Sequence, residues 1–236
     1  GPPPGRLQGR IVCRNLSFAY DEGGRNIIDG LDLTVEPGEF VAIVGDSGCG
    51  KSTLIKLLLG FERPTSGEIS FDNRALRSLD LRSVRMQVGT AIQDGSLLPG
   101  DIRTNILGAS SLPIEEAWRV AQTVGLAPRI RSMPMGMFTF VTDQIVSPAF
   151  RQQMLLAKAL VGNPSMLIVD EVTSQLDVVV QREIQERIDA LGITRIMVAH
   201  RLSTIRNADR IHVLDQGRIV QSGDYETLAA EDGPFR

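Results

Sequence analysis

The 236-residue chain is poor in cysteine, with two, and holds a single tryptophan and two histidines. Two cysteines cannot build a disulfide framework; Cys13 sits in a strand pattern and Cys49 in a glycine-rich loop, which points to a reducing compartment. No apolar run approaches the roughly 18 residues that span a bilayer. The opening Gly1-Pro2-Pro3-Pro4-Gly5 reads as a stiff linker or an expression remnant, and residues 1–9 are set apart from the domain on that ground; no secretory signal is read there. A net charge of −3 supplies no basic excess, which weighs against a general nucleic-acid binder. With 42% hydrophobic and 22% charged residues, the rest is globular material, enough for one α/β domain over residues 10–236 with a subdomain.

What is present is a phosphate loop. Gly45-Asp46-Ser47-Gly48-Cys49-Gly50-Lys51-Ser52-Thr53 fits G-x-x-x-x-G-K-[ST] without a gap. Phe40 to Val44 before it is a short buried-strand run, and Leu54, Ile55, Leu57, Leu58 and Leu59 behind it make an apolar helix that Gly60 closes. Glycines let successive N–H groups turn inward to cradle phosphate oxygens, and the helix N-terminus faces the same anion. Lys51 adds a point charge near the β- and γ-phosphates, and the Ser52 hydroxyl is placed to hold Mg²⁺. The pattern implies a nucleotide's phosphates and Mg²⁺ as ligands.

Around this anchor, Ile11, Cys13, Leu16, Phe18 and Tyr20 alternate as a strand, and so do Leu31, Leu33 and Val35. Together with Glu68 to Phe71 they predict a small antiparallel sheet beside a parallel core. Tyr20 can stack on a purine or simply close its strand; spacing does not choose. Val88 to Ile92 leads to Gln93, which reaches either a metal and water or solvent. Strands then disappear, and short helices over 114–124 and 127–131 predict a helical insert, approximately residues 94–162. Trp118 reads as core. Met133, Met135 and Met137 fill gaps in that core or make an adaptable contact surface. Ser147 and Pro148 are a good helix start, before a helix apolar on most sides.

Met166 to Val169 is a continuous apolar run ending in Asp170-Glu171. Adjacent carboxylates at the C-terminal end of a parallel strand stand where α/β sheets hold ligands; one can hold Mg²⁺ and the next polarise a water. Arg195 to Ala199 is a further buried strand, and it ends at His200, a residue that is structural or that touches a γ-phosphate. His212 lies inside another strand pattern and gets no role. Residues 211–214 and 218–220, joined at Gln216-Gly217, predict a hairpin.

The phosphate loop, Gln93, Asp170-Glu171, Ser174-Gln175-Leu176-Asp177 and His200 follow one another as in an ABC-transporter ATPase domain, which the chain resembles over about residues 10–230. The resemblance implies an α/β fold of the P-loop NTPase type: a mainly parallel sheet with helices on both faces, a small antiparallel β subdomain and the helical insert. It implies ATP hydrolysis coupled to transport. By it, Tyr20 stacks on adenine, Gln93 links Mg²⁺ and water to the insert, Asp170 serves Mg²⁺, Glu171 is the general base, Asp177 is the D-loop aspartate and His200 is the switch histidine. The wording PGDIRTNI and AHRLSTIRNADRIHVLDQGRIVQSG is similar to exporters, and within them to bacterial exporters of leader-bearing peptides and bacteriocins. Such domains normally follow a transmembrane domain on the same chain, on the cytoplasmic side of the bacterial inner membrane. Nucleic acid is not an expected partner.

One motif departs. Where the family carries Leu-Ser-Gly-Gly-Gln, this chain has Val146-Ser147-Pro148-Ala149-Phe150. In the family this loop clamps ATP held by the opposite subunit. Pro148 has no N–H to give, Ala149 adds a Cβ, and Phe150 puts bulk where the family has glutamine. A lost hydrogen bond to a charged group costs about 1.5–3 kcal/mol, roughly 10- to 150-fold in an equilibrium constant. The expectation is an asymmetric heterodimer with a normal-signature ATPase domain, weakly active when this chain is alone. The alternatives are a nucleotide-gated dimerisation module with little hydrolysis, a homodimer that tolerates the altered signature, and an ATPase for a multidrug or lipid exporter.

Overall fold

The structure is a computed structural model that describes all residues except Ser47, Gln93, Asp94, Val172, Thr173, Arg201, Asp232, Pro234 and Arg236, and gives no side-chain surroundings for Leu202 and Ser203. In chain order the elements are β1 (Ile11–Phe18), β2 (Ile28–Val35), β3 (Phe40–Val44), α1 (Lys51–Leu58), β4 (Ser66–Phe71), β5 (Arg74–Ala75) and α2 (Leu81–Met86). Then come β6 (Val88–Ile92), β7 (Gly100–Asp101), α3 (Ile102–Leu107), α4 (Ile114–Thr123), α5 (Ala127–Ser132), β8 (Phe140–Val141), α6 (Pro148–Leu160), β9 (Met166–Asp170) and α7 (Val178–Asp189). The chain closes with β10 (Thr194–Ala199), α8 (Leu202–Ile205), β11 (Arg210–Asp215), β12 (Arg218–Gly223) and α9 (Tyr225–Ala230). These fall into two compact units, residues 1–87 with 193–236, and residues 88–192.

The first unit carries the expected antiparallel sheet, in the order β2-β1-β4-β5. The three-residue skip from Cys13 to Leu16 in the strand pattern is a bulge: the β1–β2 register shifts there, with Asn15 at φ 46°. Beside that sheet, β10, β3 and β11 run parallel, and β12 returns antiparallel along β11. Gln216 (φ 47°) and Gly217 (φ 80°) make the hairpin turn, both in the left-handed region that a two-residue turn of this hand requires. Residues 1–9 form no regular element but are bonded to this unit. Asp72 accepts from the N–H groups of Gln8, Gly9 and Arg10, Asp80 N–H donates to Pro2 O at 2.8 Å, and Leu7 N–H donates to Gln87 Oε1 at 2.8 Å.

In the second unit β6 and β9 pair in parallel, with Ile92 opposite Asp170. A Cβ added at Gly89 would lie 2.0 Å from Ala159 O, so β6 and α6 approach closely because position 89 has no side chain. Helices α3, α4 and α6 pack on one another, and Ile102, Ile106, Val120, Ala121, Met154 and Leu156 on them are all buried. Two expectations change here. Trp118 is half-buried under Arg131, whose guanidinium carbon is 5.4 Å from the ring, and is not a core residue. Of the methionine group only Met137 is buried; Met135 is exposed.

Candidate nucleotide site

Strands β3 and β10 end in register, with Val44 opposite Ala199, and β11 pairs with β3 as far as Val213. Their C-terminal edge therefore sets Gly45 and His200 next to each other, at the end of a parallel sheet where ligands bind. The loop that follows is built on glycine by necessity. A Cβ at Gly45 would stand 2.3 Å from Leu214 O, and one at Gly50, which lies at φ 109°, would stand 2.9 Å from Ile27 O. Gly48 (φ 81°) faces open space. Cys49 N–H donates to Asp46 O at 3.2 Å, and Gly217 N–H donates to Cys49 O at 2.9 Å, so the hairpin pins the loop from outside. Gly50 caps α1 without a side chain, leaving the helix's first N–H groups to an incoming acceptor.

Lys51 is 8% exposed. Its ammonium donates to Gly45 O and lies 3.4 Å from both ring nitrogens of His200. Among the described residues no carboxylate stands within ion-pair distance of it. A buried cation with no carboxylate beside it among the described residues fits an anionic ligand, because desolvating the charge is otherwise costly. Ser52 is exposed beside it and Thr53 buried. Burial raises the Cys49 thiol above its ordinary range, against the opposing pull of Lys51.

Tyr20 lies two residues beyond the end of β1 rather than inside it. Its hydroxyl shares a hydrogen bond with Thr53 Oγ1 at 3.2 Å, and its ring packs edge-on against Phe18 at 4.8 Å between centroids. The ring is still 53% exposed. A planar apolar face is thus held beside the phosphate loop, where a base can stack on it.

In the second unit, four buried residues of β9 deliver Asp170, half-buried, and then Glu171. Glu171 is 4% exposed and sits at φ 47°, a conformation that costs a non-glycine residue about 1–2 kcal/mol. Strain of this kind collects at functional positions. Asp177 caps α7, its carboxylate accepting from Val179 N–H at 2.8 Å. Among the described residues no group of three or more His, Cys, Asp or Glu could hold a metal ion; Mg²⁺ needs no such group, since it binds through few side chains plus phosphate. Ser47 and Gln93 lie outside the described residues.

Residues 147–150 form the start of α6 as expected: Ser147 is the cap, its hydroxyl accepting from Phe150 N–H at 3.1 Å, and Pro148 opens the helix. Ser147 and Pro148 are exposed and Ala149 half-buried. Phe150 corrects the expectation of bulk at the clamp. Its ring is turned inward, 2% exposed, with the Arg129 guanidinium carbon 4.9 Å from its centroid. Of residues 148–150, Pro148 and Ala149 are therefore the ones that reach the surface. Gln152, to which the sequence pattern assigns no role, is buried and bonded to both Ser174 and Gln175. Its polarity in a largely apolar helix is a weak signal, and the adjacent Gln153, also buried, shares it.

Residues 28–174 match the ABC transporter family. The chain is 39% identical over 239 residues to an ATP-dependent lipid A-core flippase of Hahella chejuensis (strain KCTC 2396), covering 98% of this chain and 40% of that protein. It is 36% identical to the probable multidrug resistance ABC transporter ATP-binding/permease protein YheH of Bacillus subtilis (strain 168), covering 99% of this chain and 35% of that protein. A bacterial Atm1-family ABC exporter with ATP bound superposes with a TM-score of 0.92 at 35% identity, over 99% of this chain and 42% of that one. The chain thus spans about 40% of the length of the first of these relatives. The chain belongs to the ABC transporter family, matching the ATP-binding domain of its exporters.

Proposed function

We propose that this chain binds and hydrolyses ATP as one half of an asymmetric pair of ATPase domains driving an exporter. The observation that carries the reading is a contrast within one chain. The Lys51–His200 arrangement is complete, whereas the start of α6 offers a proline with no N–H and an alanine Cβ at its exposed turn. Bound Mg-ATP supplies the γ-phosphate and the metal's charge. Lys51, the loop N–H groups from Gly45 to Thr53 and Tyr20 hold phosphates and base. Ser52 and Asp170 carry the oxygen donors that would hold Mg²⁺, and the family resemblance adds Gln93, which lies outside the described residues. Glu171 takes a proton from the attacking water, and His200 positions at the phosphate end. Ser147, Pro148 and Ala149 face a partner's nucleotide and hold it poorly, while Asp177 stands at the same junction.

The partners in this reading are a second ATPase domain with an unaltered signature and a transmembrane domain, at the cytoplasmic face of a bacterial inner membrane. The sequence wording favours a peptide cargo. Lipid or drug export is the second reading, favoured by the relatives named above. Phosphate release by the chain alone and mixed with a candidate partner tests the asymmetry. Stimulation by the partner supports it. Nucleotide-driven association without release, in either case, supports instead a dimerisation module with little hydrolysis.

A further inference from the structure

Gln152 is the fifth residue of α6, 4% exposed. Its Nε2 donates to Ser174 Oγ at 3.0 Å and its Oε1 accepts from Gln175 N–H at 2.9 Å. One amide therefore uses a donor and an acceptor on two successive residues of the loop that leads to Asp177. Leu176, between them and Asp177, is buried, and Asp177 is itself fixed as the cap of α7. At its other end Gln152 belongs to a helix that is equally constrained. Ser147 caps it, Phe150 is buried beneath Arg129, and the neighbouring Gln153 donates to Val124 O at 2.9 Å. A buried amide satisfied at both ends fixes an orientation as well as a distance, because swapping its ends would oppose donor to donor.

We infer that Gln152 is a positioning residue that locks the signature turn of α6 to the Ser174–Asp177 loop. The turn that serves a partner's nucleotide and the loop beside this chain's own catalytic carboxylates then shift together, so the state of one site is passed to the other through one side chain. The inference rests on the ATPase reading above for its consequence, and on the two hydrogen bonds for its geometry.

The test uses the whole chain with Gln152→Met, which keeps length and loses both bonds, and Gln152→Glu. The carboxylate of the latter accepts from Gln175 N–H and from the Ser174 hydroxyl once that hydroxyl turns to donate. Three quantities are read: hydrogen exchange at 174–177 and at 147–151, affinity for a fluorescent ATP analogue, and single-turnover ATP hydrolysis. For Gln152→Met the Gln175 amide should exchange about tenfold faster, with faster exchange at 147–151. Affinity should stay within about twofold while the hydrolysis rate falls roughly five- to tenfold, and Gln152→Glu should recover most of that rate. Unchanged hydrolysis in Gln152→Met overturns the inference, as does an equal loss of affinity and rate in both variants, which would mark a packing defect. If the unsubstituted chain shows no hydrolysis either alone or mixed with a candidate partner, the ATPase reading has failed, and exchange decides alone: unaltered exchange at 147–151 in Gln152→Met sinks the coupling.

Discussion

The Lys51 ammonium sits 3.4 Å from both ring nitrogens of His200, two residues 149 positions apart in the chain. Strands β3 and β10 bring them together by pairing in parallel from Phe40 to Val44. Their separate substitution should divide binding from chemistry. Lys51→Ala should abolish binding of a fluorescent ATP analogue, since the loop loses its one buried cation. His200→Ala should bind within a few-fold of the unsubstituted chain and lose roughly 10²-fold in phosphate release, the scale of a removed positioning group. Equal loss of binding in both would show that His200 serves only to shape the loop.

Tyr20 makes a second division possible. Tyr20→Phe removes the hydroxyl bonded to Thr53 but keeps the exposed ring, so ATP affinity should fall by no more than about threefold. Tyr20→Ala removes the stacking face, worth about 1–3 kcal/mol, and should weaken ATP by roughly tenfold or more. Inorganic triphosphate, which has no base, should bind the two variants alike. A loss for triphosphate matching that for ATP would contradict base stacking.

His212 yields a pH dependence. Buried in β11, its Nδ1 is 2.7 Å from Ser222 Oγ, and burial, with the Arg210 charge, lowers its pKa from 6.5 to about 4. The unfolded chain then binds the proton at a higher pH than the folded one. Stability from this group is complete above about pH 6.5, falls as the pH drops, and is lost through about pH 4. The loss is of the order of 3 kcal/mol. Urea unfolding between pH 7 and pH 4 should show this slope, and His212→Phe should flatten it. An unchanged slope in that variant would assign the acid sensitivity to carboxylates.

Much of this was legible from residue types. The run from Phe40 to Val44, the loop to Thr53 and the helix to Leu58 appear where periodicity and glycines put them, because those signals are local. Ser147 and Pro148 open α6 for the same reason. What escaped is long-range. Nothing in the opening residues says that Asp72 will bind three of their N–H groups, since backbone partners carry no residue signature. Phe150 looked like an obstacle at the clamp because periodicity cannot tell which side of the first turn meets Arg129. Gln152 was hidden because a buried glutamine and an exposed one read alike until the loop it binds is in place.

The inward ring of Phe150 also sets it apart from its neighbours Pro148 and Ala149. Phe150→Gln would replace a buried ring by an amide and should cost about 3 kcal/mol or more in unfolding free energy. Thermal melting should therefore drop by several degrees in that variant alone, with Pro148→Gly and Ala149→Gly, both at exposed or half-exposed positions, each within about 1 kcal/mol. Equal melting for all three would mean that the ring contributes little to the core.

The asymmetric-dimer reading stands or falls on phosphate release by the purified chain at concentrations that allow self-association, compared with its Pro148→Gly/Ala149→Gly double variant and with Glu171→Gln. The expected result is slow release from the unsubstituted chain, at least roughly tenfold faster release from the double variant as the clamp regains an N–H donor, and none from Glu171→Gln. Fast release from the unsubstituted chain that the double variant does not raise, and that Glu171→Gln abolishes, would show that this signature already works and that no second kind of subunit is required.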